Sequence, residues 1–319
     1  GQFGLDHTLY HFGSGSSAPY SDMNGFEPYI WRLSWYKLYW GACAVLLAFA
    51  SNLFWNRGLS GDFKYRAQLA KSRVTPSIKN GILVFGLLFI GFGSFIFYNT
   101  NILNEYHRSN YWEKRSADYE KAYKKFKNST QPKITGVIGE VHLFPQEARL
   151  EFSGSYTMKN KTDAVIDTIH SNFNRYVPYS TYKWSRQNEI VFTDSAYGWD
   201  IFVFDPPIQP GDEFSLEFAG ERKRTGFSNG GVNRTVVENG TMIWSGSIFP
   251  TFGYDPGREL RDKRTRKKHD LSETQDPMPK FDDVEGNKHG ILGDDADWVN
   301  FEVVISTDPD QIAMAPGYI

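Results

Sequence analysis

Cysteine is nearly absent: Cys43 is the single one in 319 residues. No disulfide framework can form within the chain, and no cysteine-based metal site is available. For an exported domain, that absence inclines toward a bacterial envelope rather than an animal cell surface. An excess of positive charge is lacking too. With 35 Lys and Arg against 37 Asp and Glu the formal charge is −2, which argues against nucleic acid as a partner. An initiator Met is missing at Gly1, and no polar tail precedes Ile319, so the expectation is a piece of something longer.

Charge is missing altogether from Ile82–Tyr98, ILVFGLLFIGFGSFIFY, a run of 17 residues. That is at the short end of what crosses ~30 Å of hydrocarbon at about 1.5 Å per residue. A second apolar stretch, Leu33–Trp55, is broken only by Lys37, whose ammonium can snorkel to the interface. Trp31, Trp35, Tyr36, Tyr39 and Trp40 crowd one end of it and Trp55 the other, the pattern of an interfacial aromatic belt. The competing reading is a pair of buried core helices. Between the spans, Arg57, Lys64, Arg66, Lys71, Arg73 and Lys79 face only Asp62. Short Lys/Arg-rich loops stay cytoplasmic, which places both flanks outside; an ordinary solvated loop would say nothing about topology. An internal span targets the chain by itself, so no signal peptide is required.

Six segments follow: an extracytoplasmic loop over 1–29, a transmembrane helix over 30–56, a basic cytoplasmic loop over 57–80 and a second transmembrane helix over 81–98. A helical stalk over 99–131 and a β domain over 132–319 complete the chain. The fold class expected is mixed: two transmembrane helices and a helical stalk, then an all-β antiparallel, sandwich-like domain. In the first loop, GSGSSAPYSDMNG (13–25) reads as irregular. His7 and His11 stand four apart, but the surrounding glycines oppose a helix, so a metal pair competes with plain loop histidines. Over Glu105–Lys127 the stripe Trp112, Tyr119, Tyr123, Phe126 predicts a helix resting an aromatic seam on a neighbouring domain, too short for a coiled coil. Glu120 and Lys124 form an i,i+4 pair on it.

From Lys133 the period becomes two. Ile134, Val137, Val141 and Leu143, then Leu150, Phe152 and Met158, predict two strands joined at PQEA (145–148). Further candidates are Val165–Phe173, Glu189–Thr193, Trp199–Phe204, Phe214–Phe218, Met242–Ile248 and Trp298–Thr307. Turn signals lie at Asn160-Lys161, Pro206-Pro207, Pro210-Gly211-Asp212 and Asn239-Gly240. Four N-x-[ST] matches, at Asn128, Asn160, Asn233 and Asn239, read as turn residues rather than glycan sites. A basic run and acidic clusters over 254–297 read as solvated loops. Asp294, Asp295 and Asp297 lack the EF-hand frame, which leaves calcium a weak alternative.

The run VHLFPQEARLEFSGSYTMKNKTDAVIDTIH (141–170) resembles the opening of the N-terminal β domain in the aminopeptidase N family of zinc metallopeptidases. FPTFGYDPGREL (249–260), DADWVNFEVVISTD (295–308), QIAMAPGYI (311–319), APYSDMNGFEP (18–28) and DYEKAYKKFKNSTQPKITGV (118–137) resemble a narrower branch. In that branch an ABC-type permease is fused, through its last membrane helices, to an aminopeptidase-like extracytoplasmic region. The resemblance implies a gluzincin parent whose zinc is held by H-E-x-x-H and a later Glu, the motif's Glu activating the metal-bound water. None of His7, His11, His107, His142, His170, His269 and His289 precedes a Glu, and the amine-anchoring Gly-x-Met-x-Asn is missing. The family's catalytic domain follows its β domain, so no catalytic, cofactor-binding or metal-binding residue is assigned in this chain, and it is not expected to hydrolyse peptides.

Two functions are therefore expected as alternatives. One is the membrane-anchoring, non-catalytic β-domain part of a permease–aminopeptidase-like fusion in a bacterial cytoplasmic (inner) membrane, with residues 99–319 on the periplasmic side. Its partners would be the lipid bilayer, the remaining permease helices, the catalytic domain of the same chain, an ATPase subunit and peptides. The other is a two-span protein whose β domain captures a peptide, glycan or envelope partner, with Tyr176, Tyr179, Tyr182 and Trp184 as candidate surface aromatics; sheet aromatics are also common core residues.

Overall fold

In the computed structural model, residues 5–13, 18–22, 24–55, 62–230, 235–273, 280–284 and 295–318 are described, with backbone only at Ser109, Ala296 and Asp297. The chain forms two compact units: Gly1–Arg108 with Thr225–Arg234, and Ser109–Arg224 with Thr235–Ile319. Arg57, Asn233, His289 and Asp294, singled out from the sequence, lie outside the described residues.

The first unit is a helical hairpin. Helix α1 (Glu27–Phe54) opens with Pro28 in its first turn, where the missing N–H costs nothing. Helix α3 (Pro76–Phe97) starts the same way, with Thr75 accepting from the Ile78 N–H at 3.3 Å. Both helices, α3 counted to Leu103, run 28 residues and are apolar enough to cross a membrane. Trp35 meets Phe95, Tyr39 meets Phe89 and Phe49 meets Phe85, a register only antiparallel helices give. The expected basic loop between the spans contains a third helix, α2 (Phe63–Arg73), capped by Asp62 at 2.7 Å. Helix-forming Lys, Arg, Gln and Ala dominate it, a local propensity the charge pattern masks. Arg73 donates to the carbonyls of Asn52 and Leu53 at 3.4 and 3.3 Å and to that of Trp55, closing the open carbonyl end of α1.

At the other end of the hairpin α3 widens into a π-helical turn, Tyr98–Leu103. Asn99, Thr100 and Asn101 each bond back to carbonyls of the preceding turn at 2.8–3.2 Å, competing with the helical ladder. Asn104 then stops the helix, its amide donating to Asn99, Thr225 and Phe227 carbonyls. Phe227 packs with Tyr36, Ile96 and Leu9, which are all buried. Tyr36, expected in the interfacial belt, is thus only 2% exposed, because this apolar cap covers it.

In the second unit, a five-stranded sheet of order β4-β7-β2-β1-β9 faces a four-stranded sheet of order β5-β6-β3-β8. The strands are β1 (Lys133–Phe144), β2 (Arg149–Lys159), β3 (Ile166–Asn172), β4 (Tyr179–Trp184), β5 (Asn188–Asp194), β6 (Trp199–Ile208), β7 (Glu213–Lys223), β8 (Thr251–Phe252) and β9 (Ala296–Ser306). Inward residues of both sheets, among them Val141, Phe152, Met158, Ile169, Phe204 and Leu216, share one core. Each fully buried aliphatic side chain there contributes about 1.5–3 kcal/mol.

Pairing is antiparallel except between β1 and β9, which run parallel. That one pair departs from the antiparallel pattern the sequence predicts: the long connection from β7 to β9 lets the chain return in the same direction. The candidate strand Met242–Ile248 is corrected, being loop with a 3-10 turn at Ser245–Ser247. Asn160, fully buried, accepts from the Thr162 N–H at 3.0 Å and donates to the Ala164 and Ile208 carbonyls, so it is a turn residue and inaccessible to a glycan.

Helix α4 (Ser109–Tyr123), followed by a 3-10 turn at Lys124–Phe126, lies on the outer face of the four-stranded sheet. Tyr119, Tyr123 and Phe126 pack on Trp199, which is 0% exposed. A short helix, α5 (Lys263–Lys268), brings Arg266 onto Glu120 in two bonds of 2.8 and 2.7 Å. Burial would raise the Glu120 carboxyl, but hydrogen bonds from Arg266 and Lys124 outweigh it and hold the carboxyl below the usual range.

Between Tyr197 and Trp199, Gly198 has φ +66, and a Cβ there would sit 2.1 Å from the Phe173 carbonyl oxygen. Gly211 has φ +84 with nothing within 4 Å. Gly198→Ala is predicted to cost at least about 2 kcal/mol and Gly211→Ala about 1 kcal/mol; equal shifts in denaturant midpoint of the full chain would contradict this.

Candidate functional site

The charged and aromatic residues that gather around a cleft come from four places in the second unit, with Gly246 and Thr251 completing its wall. Helix α4 presents Trp112, Arg115, Ser116 and Tyr119 on one face, spaced three, four and seven residues on. The β3–β4 connection adds Asn172–Tyr176, the turn before β6 adds Tyr197, and the segment after β8 adds Asp255 and Arg258. They enclose a cavity of about 350 Å³.

Three guanidiniums line it. Arg258 lies over the Tyr119 ring at 4.0 Å, Arg115 over Tyr197 at 4.5 Å and Arg175 over Tyr176 at 4.7 Å. Cation–π contact of this kind fixes each plane while leaving its N–H edge free to bond. Arg258 donates to Asn172 Oδ1 at 2.9 Å and to the Tyr197 carbonyl at 3.0 Å. Arg115 and Arg175 both donate to the Ala196 carbonyl. The Tyr119 hydroxyl accepts from the Asp255 N–H at 3.0 Å, and burial raises its ionisation so that it stays neutral. Asp255 is the one carboxylate of the lining, and its Oδ1 accepts from the Gly257 N–H at 2.8 Å.

Of the seam expected on α4, Trp112 does not join Tyr119 and Tyr123. It is 49% exposed at the mouth of the cleft, since it begins the helix beyond the ring of Trp199. Of the aromatics expected on a surface, only Tyr176 is there, 50% exposed. Trp184 is buried among Phe202, Phe204 and Phe214, while Tyr179 donates to the Ile248 carbonyl at 2.8 Å and Tyr182 meets Ser171. Tyr179, Tyr182 and Trp184 turn to the inner side of their strand, so burial claims them. The cleft arginines escaped the sequence reading; Arg115 sits three residues after Trp112 on the same stripe, the one signal that points to it.

His7 and His11 do not form a metal pair. His7 caps a 3-10 turn (Thr8–Tyr10), its Nδ1 accepting from the Leu9 N–H at 3.1 Å and its Nε2 lying 3.0 Å from Thr100 Oγ1. His11 Nε2 lies 2.6 Å from the Leu5 carbonyl. Asp295 Oδ2 accepts from the Phe252 N–H at 3.1 Å, a structural bond beside β8. Among the described residues no three His, Cys, Asp or Glu side chains stand together as a metal would need. Zinc therefore finds no three-ligand set among them.

No family model matches this chain, and no curated protein matches it. Among solved structures, similar ones include an M1 zinc metallopeptidase from Deinococcus radiodurans, at 13% identity over 30% of this chain and TM-score 0.24. A mutant M1 zinc metallopeptidase from the same organism, bound to a Tyr-Ser-Ala substrate, overlaps at 15% identity, 30% coverage and TM-score 0.23. The overlap covers 21% of those enzymes' chains. That likeness is too slight to assign a fold or an activity.

Behind the cleft wall, His170 on β3 is 3% exposed, its ring tilted against that of Phe126 with centroids 4.4 Å apart and its Nδ1 unpartnered among the described residues. Burial pushes its pKa down to about 4 from 6.5. The folded state thus holds the neutral ring, and the unfolded state binds the extra proton. The stabilisation is complete above pH 6.5 and is lost as pH falls from 6.5 toward 4, by up to about 3 kcal/mol. His170→Phe should flatten that limb of the stability–pH curve; an unchanged limb in unfolding titrations would refute the assignment.

Proposed function

We propose that the chain is the membrane-anchoring, non-catalytic part of a permease–aminopeptidase-like fusion, inserted in a bacterial cytoplasmic membrane with its β unit on the periplasmic side. The single observation that carries the anchor is the antiparallel pair of 28-residue apolar helices joined by a segment rich in Lys and Arg. The fusion itself rests on the ordered resemblance of sequence phrases from 18 to 319. In this reading the hairpin joins further permease helices, and an ATPase subunit drives them. The β unit walls the substrate space of a zinc-dependent catalytic domain later in the same chain, where peptides are cut. Reading the gene past Ile319 tests that part: without H-E-x-x-H and a later Glu, the peptidase role falls.

A second reading, a two-span protein whose β unit binds a peptide, glycan or envelope partner, is favoured by the cleft of arginines and aromatics.

The single Cys43 makes topology directly measurable. In a Cys43→Ser background, Ser195→Cys on the β unit should label with a membrane-impermeant maleimide on intact spheroplasts. Ser72→Cys on α2 should label only after lysis. Labelling of Ser72→Cys from outside, or protection of Ser195→Cys, would reject the orientation.

A further inference from the structure

We propose that the cleft beneath α4 binds a small organic oxyanion, a molecule carrying a carboxylate or phosphate on a flat apolar body. The proposal goes beyond the anchoring role and does not depend on it. Its first support is charge: the cleft lining carries three guanidiniums, Arg115, Arg175 and Arg258, and one carboxylate, Asp255, one of whose oxygens a backbone N–H already engages. The second is unspent donors. A guanidinium carries five N–H groups. Arg115 spends its described bonds on the Ala196 carbonyl and Tyr111 hydroxyl, and Arg258 on Asn172 and the Tyr197 carbonyl. All four partners are neutral, so among the described residues neither cation has a partner of opposite charge in direct contact. Partly buried guanidiniums without one favour an incoming oxyanion, which they can take in charge-assisted, forked bonds.

The third support is preorganisation. Each guanidinium is stacked on a tyrosine face, and two are tied by the same carbonyl, that of Ala196. Little side-chain freedom remains to be lost on binding. The fourth is the rim. Trp112 and Tyr176, 49% and 50% exposed, offer flat apolar faces beside the cations. At about 350 Å³ the cavity falls at the small end of ligand sites, which suits a single ring with an acidic group rather than a macromolecule.

The test uses the full chain in detergent micelles and three probes: N-acetyl-phenylalanine, phenyl phosphate and the uncharged methyl ester of N-acetyl-phenylalanine. Binding is read by calorimetry and by the fluorescence change that disappears in Trp112→Phe. Saturable binding of one or both anions is expected, with the ester at least tenfold weaker; the tighter anion tells carboxylate from phosphate. Arg115→Gln and Arg258→Gln should each weaken the anion at least tenfold without affecting the ester. Because Arg258 also braces Asn172, its variant can fail to fold; Arg115→Gln and Trp112→Ala, checked by circular dichroism, then decide. No saturable anion binding below about 10 mM, ester binding equal to the anion, or unchanged affinity in folded Arg115→Gln would overturn the proposal.

Discussion

The arrangement of the second unit depends on how one amphipathic helix is held against a sheet. Tyr119 and Tyr123 of α4 stack on Tyr254 and Trp199 with ring centroids 5.2 and 4.6 Å apart. One residue beyond Tyr119, Glu120 takes two bonds from Arg266, whose side chain is 0% exposed, and a third from Lys124. Apolar stacking supplies most of the attraction. The ion pair supplies register, because an uncompensated charge at that depth is heavily penalised. Once α4 is fixed in that register, Arg115 must lie over Tyr197 and Trp112 must overhang the cavity. The cleft is therefore a consequence of the clamp rather than a separate invention.

The hairpin solves a different problem. Its apolar faces need no internal partner if lipid surrounds them, yet its ends carry open backbone groups. One end is closed by Arg73 on the last carbonyls of α1. At the opposite end Asn104 donates to the Asn99 carbonyl, and two distant segments cover it. Thr8 donates its N–H to Asn229 Oδ1 at 2.9 Å, and Arg32 donates to the Asn229 carbonyl at 2.7 Å. Phe227 then covers Tyr36 and Ile96. The polar, Gly-rich composition of both segments suits a cap of this kind.

Much of this was legible in the sequence, and the failures have physical causes. Long apolar runs and strict alternation are strong signals, so both long helices and strands such as β2 and β7 stand where the pattern puts them. The stripe on α4 predicted its buried face from Tyr119 onward but overreached at Trp112, because periodicity does not say where the partner surface ends. Residues 179–184 carry as many aromatics as a binding surface would, and only the opposing sheet reveals that Trp184 is core. The parallel return of β9 follows from a long connection that leaves no local mark. The arginines of the cleft come from α4, the β3–β4 connection and the segment after β8, and no spacing rule joins positions so far apart in the chain.

The clamp on α4 is the claim on which the cleft rests, and a double-mutant cycle between Glu120 and Arg266 tests it most directly. Unfolding free energies of the full chain would be measured for Glu120→Leu, Arg266→Met and the double variant. The single changes are expected to cost about 3–5 kcal/mol each. The double should cost no more than either, giving a coupling of at least about 3 kcal/mol. Additive effects would mean that the two side chains stabilise α4 independently, and the clamp would be contradicted.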